Sequence, residues 1–170
     1  VEMAREELVP RFGLPFSMDE EGKERETGFA IVGLGKLGGR ELNYHSDLDI
    51  IFIYEDNGHN YPVEGTEPSR FKRQSNQEYF ARLAQRVISI LSLLTREGKV
   101  YEIDTRLRPS GNQGPLVTSF SAFEKYHLTS AQSWERQALT KARVVTAPED
   151  FGEAIDTGTL GADDFAVDTS

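Results

Sequence analysis

The 170-residue chain contains no cysteine, one tryptophan and two methionines. Disulfides and thiolate metal sites are therefore excluded. No apolar run approaches the ~20 residues that span a bilayer, and no signal-peptide pattern opens the chain. The expected setting is cytoplasmic, without a membrane partner. The first residue is Val1, which leads to the expectation of a piece of a longer protein. Basic residues are missing from 148–170, which carries seven acids. Residues 1–27 hold eight acids and four bases, leaving 28–147 with thirteen acids and fifteen bases. The net charge of −9 thus belongs to the ends. The near-neutral middle offers no broad nucleic-acid surface, but has room for a local basic pocket that takes a phosphorylated small molecule.

Residues 1–12 read as a short helix with Met3, Leu8, Val9 and Phe12 as apolar contacts. Residues 13–27 mix Gly, Pro and charge and read as a linker. An apolar run over 28–32 suits a buried strand, and 48–54 is rich in β-branched and aromatic residues, a strand signature. Residues 55–75 are polar, with Gly58, Pro62, Gly65 and Pro68, and read as a long loop. Ser75 and Glu78 form a capping-box pattern. Phe80, Leu83, Ala84, Val87, Ile90, Leu91 and Leu94 then recur at helical spacing, and Gly98 ends the helix. Residues 100–107 alternate like a strand. Ser121 and Glu124 suggest a second capping box, followed by helices near 122–128 and 133–144. Trp134, Ala138 and Ala142, at i, i+4 and i+8, are expected to pack in the core.

Two motifs compete between residues 33 and 55. Gly33-Leu34-Gly35-Lys36-Leu37-Gly38 matches the dinucleotide fingerprint G-x-G-x-x-G, with Glu55 about 20 residues on as the acidic partner. Only nine residues follow Gly38 before the next apolar run, and one of them is aliphatic, too little for a crossover helix. The second motif is Asp47-Leu48-Asp49 at the entry to a strand. Residues i and i+2 share a face, so the two carboxylates project together. Such a pair is costly unless a cation completes it, and Mg²⁺ takes one or two carboxylates plus substrate phosphates. The same spacing also fits a strand entry with both acids in water. Gly38 and Gly39 lie upstream, where backbone amides suit phosphate oxygens, and Ser46 suits a phosphate contact or a turn cap. On the later strand Glu102 and Asp104 share a face, with Arg106 and Arg108 continuing at period two. If that strand neighbours 48–54, Asp104 becomes a third carboxylate, the arrangement for two-metal phosphoryl or nucleotidyl displacement. The arginines suit phosphate contacts or structural ion pairs equally.

The order of these pieces resembles the nucleotidyltransferase superfamily that includes polymerase β. G-x-G-K-L-G-G-x-E-L-x-x-x-S-D-L-D-I-I-F (33–52), Y-E-I-D-x-R-L-R-P-S-G (101–111), G-P-L-V-T-S (114–119) and W-E-R-Q-A-L-x-K-A-R-V-V (134–145) are similar to the glutamate–ammonia-ligase (glutamine synthetase) adenylyltransferase family, over about 28–150. The resemblance implies an α/β (α+β) polymerase-β-like fold, a mixed sheet with flanking helices and a C-terminal helical segment. It implies an N-terminal extension over 1–27, a nucleotidyltransferase domain over 28–150 and an acidic tail over 151–170. Asp47, Asp49 and Asp104 would be the metal-binding catalytic carboxylates. Gly38, Gly39 and Ser46 would contact the triphosphate, with Lys36, Arg106 and Arg108 as further nucleotide contacts. Asp104 or the metal would help deprotonate the incoming hydroxyl. The implied cofactor is Mg²⁺, with ATP as substrate, a tyrosine of glutamine synthetase as acceptor, and a nitrogen-regulatory signal protein as effector. That family carries two such domains in one long chain, one adding AMP and one removing it by phosphorolysis. The quoted pieces look more like the C-terminal, adenylylating half. A Rossmann-type binder, a non-catalytic domain on the same fold and a DxD glycosyltransferase remain alternatives at this point.

Overall fold

A computed structural model describes residues 1–40, 47–95 and 102–156. Helix α1 (Glu2–Phe12) turns Ala4, Leu8 and Phe12 inward. Met3 lies off that i, i+4, i+8 stripe and is exposed rather than packed. The stretch expected as a linker instead forms two strands, β1 (Leu14–Met18) and β2 (Glu24–Glu26), paired antiparallel. All three residues of β2 are exposed, so no apolar alternation marks it in the sequence.

Strand β3 (Phe29–Gly33) leads through a single helical turn, α2 (Gly35–Gly38), into β4 (Leu48–Tyr54). Within the expected 55–75 loop lies β5 (His59–Tyr61), which pairs with β1 and completes a three-stranded sheet of order β2-β1-β5. Helix α3 (Asn76–Thr95) starts at the expected box: Glu78 N–H donates to Ser75 Oγ and Ser75 N–H to the Glu78 carboxylate, each at 3.2 Å. Its expected end at Gly98 lies outside the described residues. Strand β6 (Ile103–Asp104) is much shorter than the expected 100–107, and a turn begins at Arg106. Strand β7 (Val117–Ser119) runs into α4 (Phe120–Thr129), whose cap is Ser119 rather than Ser121. The Ser119 hydroxyl accepts from Ala122 N–H.

The expected 133–144 helix ends early. Helix α5 (Ser133–Ala138) passes through one 3₁₀ turn into strand β8 (Arg143–Thr146). Trp134 is 55% exposed, its indole N–H donating to Gln132, so it does not pack in the core, whereas Ala138 and Ala142 do pack against the buried cluster. Helix α6 (Glu149–Ile155) closes the described chain, and the remaining tail lies outside it.

The main sheet has order β6-β4-β3-β8. β3 and β4 are antiparallel, as are β3 and β8. β6 and β7 both run parallel to β4, β6 at residues 48–49 and β7 at residues 52–54. This is a mixed sheet with flanking helices, as expected. The antiparallel pairing of β3 with β4 rules out the Rossmann reading, in which the strand before the glycine motif and the strand after it run parallel.

Both faces of the sheet are buried, which explains the near-continuous apolar run of β4. One face carries Phe29, Ile31, Ile50, Phe52 and Tyr54 against α1 and α3. Phe52, Phe29, Phe80 and Tyr54 stack in series, with centroids 5.7, 5.4 and 5.2 Å apart. The other face carries Ala30, Val32, Ile51 and Ile53 against Phe123, Leu139, Phe151 and Ile155. Strand periodicity puts Asp49 on this second face, at the end where packing gives way to solvent.

Candidate active site

The register fixes the relation between the acids. Leu48 pairs with Ile103 and Asp49 with Asp104 on adjacent parallel strands. The Leu48 N–H donates to Glu102 O at 2.7 Å, and Leu34 N–H to Asp49 O at 2.9 Å. The main chain of β4 around Asp49 is therefore held on both sides, and β6 with Asp104 is held along its one paired side. Asp47 precedes the strand and is exposed, whereas Asp49 is half-buried. Asp47, Glu102, Ile103, Asp104, Thr105, Arg106 and Asn112 line a polar cleft of ≈ 400 Å³. A larger cavity of ≈ 710 Å³, walled by Pro15, Phe29, Tyr79 and Phe80 with Arg5 and Glu26, contains none of the three aspartates.

Burial, then the charges of Asp104 and Asp47, raise the pKa of Asp49 above the ordinary carboxylate value, while Arg106 pulls it down. The Arg106 side chain holds Asp104 in the opposite direction, below the ordinary range, with burial opposing it. Arg106 grips that carboxylate with Nε at 3.0 and 2.9 Å and Nη2 at 2.5 Å, while its backbone N–H donates to Oδ1 at 2.9 Å. Two adjoining carboxylates are thus set apart by their neighbours.

Arg108 does not extend along the strand as period two suggested. Its Nη1 donates to Thr105 O and Oγ1 at 2.9 and 2.8 Å, tying the 105–114 loop. Lys36 is exposed on the α2 turn. The amides expected to face phosphate are engaged within that turn: Gly38 N–H donates to Leu34 O at 3.0 Å and Gly39 N–H to Gly35 O at 2.9 Å. Gly38 is buried, and a Cβ there would lie 2.1 Å from Lys141 O. Ser46 lies outside the described residues.

Two features went unread in the sequence. Gly35 has φ +52, and a Cβ there would stand 2.6 Å from Asp49 Oδ2. The second glycine of G-x-G thus lets the turn approach a carboxylate. The other is a brace behind the loop. Tyr126 O–H donates to Glu135 Oε1 at 2.6 Å and lies beside the Ser110 backbone, while Glu135 Oε2 accepts Gln132 N–H at 2.7 Å. Ser110 is held in the left-handed region at φ 62.

A family model described as glutamate–ammonia ligase adenylyltransferase matches residues 1–158. The chain belongs to the glutamate–ammonia ligase adenylyltransferase family. Curated relatives agree. A bifunctional glutamine synthetase adenylyltransferase/adenylyl-removing enzyme of Thioalkalivibrio sulfidiphilus is 46% identical over 147 residues, 86% of this chain and 14% of the relative. The protein of the same description from Haemophilus ducreyi is 46% identical over 145 residues, 85% of this chain and 14% of the relative. That of Acinetobacter baylyi is 46% identical over 144 residues, 84% of this chain and 15% of the relative. The chain therefore spans about one seventh of the length of these adenylyltransferase-family relatives. Among the described residues no helix is long and apolar enough to cross a membrane.

The family implies a divalent cation. Among the described residues no three acidic or histidine side chains stand ready to hold one. The donor chemistry nevertheless fits Mg²⁺ in kind: Asp47 and Asp104 line one cleft, and Asp49, paired with Asp104 across the strands, is destabilised as an anion by burial and by its neighbours. Asp104 is occupied by Arg106, and its release is what the fit requires.

Proposed function

We propose that this chain is an adenylylating domain: it transfers AMP from ATP to a tyrosine of glutamine synthetase in the cytoplasm, under control of nitrogen-regulatory signalling. The observation that carries the reading is the Asp49–Asp104 pairing on parallel strands, with Asp47 two residues before Asp49. Mg²⁺, held by Asp47, Asp49 and Asp104, would neutralise the phosphates and activate the hydroxyl when bound.

The chain's own residues do the rest. Asp49 and Asp104 place negative charge at one point and so disfavour the free tetra-anion of ATP relative to a metal-bound form of lower negative charge. Lys36 and Arg106 are exposed cations for the polyphosphate, and the Gly38-Gly39 turn serves by bringing Gly35 against Asp49. Ser46 joins them by sequence alone. The tyrosine Oη bonds to the α-phosphorus as the bond to the β-bridging oxygen breaks, and pyrophosphate leaves. The phenolic proton must also leave, from a group of pKa ~10. Asp104 is a weak base while Arg106 holds it low, so a role for it in taking this proton requires that Arg106 first release it.

The direction of transfer is tested with α-labelled ATP and unmodified glutamine synthetase, beside pre-adenylylated synthetase with phosphate. Label on the synthetase supports the adenylylating assignment. ADP released from the second mixture alone would assign the chain to the removing half, and neither product would overturn the reading.

A further inference from the structure

One exposed guanidinium grips Asp104 and lies within electrostatic reach of two further acids. The Arg106 side chain is 70% exposed and that of Asp104 15%, so the cation lies on the solvent side of the carboxylate. Its charge also reaches Asp47 and Asp49. Arg106 thus occupies the electrostatic place of a bound cation. With the guanidinium on the solvent side, an incoming anion can reach it without passing the carboxylate. A guanidinium also matches the oxygens of phosphate as well as those of carboxylate. Removing the side chain from Asp104 does not free the acid altogether, because the backbone N–H of Arg106 still holds Oδ1 at 2.9 Å. Oδ2 alone is released, in a carboxylate whose orientation is kept.

We infer that Arg106 is a displaceable counter-ion: it holds Asp104 in the nucleotide-free site and moves to the polyphosphate when nucleotide enters, opening Oδ2 to a divalent cation. The inference rests on the carboxylate-site reading above. It makes nucleotide and cation binding mutually supportive, because each favours the state in which Arg106 has left Asp104. The cleft then discriminates against cation binding in the absence of ATP.

The test uses Mn²⁺ as probe, titrated by electron paramagnetic resonance into the full chain without nucleotide. Variants are Arg106→Gln, Arg106→Lys and Asp49→Asn, each checked for an unchanged thermal melt. Arg106→Gln is expected to bind Mn²⁺ about tenfold tighter than the wild type, with Arg106→Lys between them. Its affinity for α,β-methylene-ATP in EDTA is expected to fall about three- to tenfold. Unchanged or weaker Mn²⁺ binding by Arg106→Gln, with Asp49→Asn having lost it, overturns the counter-ion role and leaves the carboxylate site standing. Wild-type Mn²⁺ binding by Asp49→Asn overturns the carboxylate site itself, and the inference with it.

Discussion

Asp49 stands opposite Asp104 on adjacent parallel strands, and the two carboxylates are driven in opposite protonation directions by what surrounds them. The strand pairing brings the acids together. A single arginine and the depth of the cleft then make them unequal.

Gly35 is the most sensitive neighbour of this pair. Gly35→Ala places a methyl 2.6 Å from Asp49 Oδ2 at a φ of +52. The left-handed backbone adds about 1 kcal/mol of strain. We expect a stability loss of about 1–2 kcal/mol in denaturant unfolding, and a fall in transfer rate of about a hundredfold, since Asp49 must turn away. A rate near that of the wild type contradicts the close approach.

Tyr126 lies beside Ser110 in the loop that follows Arg106. Tyr126→Phe removes the donor to a buried Glu135. A stability loss of about 1–3 kcal/mol is expected, with a several-fold rise in KM for ATP. Thermal melts and initial rates check both, and a loss of stability without a change in KM would confine the brace to a structural role.

His127 gives a pH signature separate from catalysis. Burial pushes its pKa down to about 4; Glu135 opposes the shift and Arg136 adds to it. The unfolded chain takes up this proton near pH 6.5 and the folded chain only near 4. Its neutral form therefore stabilises the fold above pH 6.5, and that contribution is lost between about 6.5 and 4. The amount is on the order of 3 kcal/mol. His127→Gln should flatten the fall in unfolding free energy across that window; an unaltered slope would show that other groups govern it.

How far the sequence reached depended on local pattern. The acids of β4 and β6 were legible because period two is rigid, and because both acids stand where apolar strands begin or end. Helix α3 was legible from its box and its stripe. Strand β8 was hidden, because Ala138 and Ala142 kept helical spacing while Val144 and Val145 found an open edge of β3. Strand β2 was hidden because Glu24-Arg25-Glu26 has no apolar member. The grip of Arg106 on Asp104 depends on a turn starting one residue after Thr105, and alternation alone extended the strand past it. The acceptor and the direction of transfer came from family likeness, since carboxylate geometry is the same for adding AMP and for removing it.

The most direct test is the single-turnover rate of label transfer from α-labelled ATP to glutamine synthetase in Asp49→Asn, Asp104→Asn and the double variant. If the two acids act as one unit, each single change lowers the rate by at least about a thousandfold, and the double variant falls little further. Single variants close to the wild-type rate, or losses that multiply in the double variant, would contradict a shared carboxylate site.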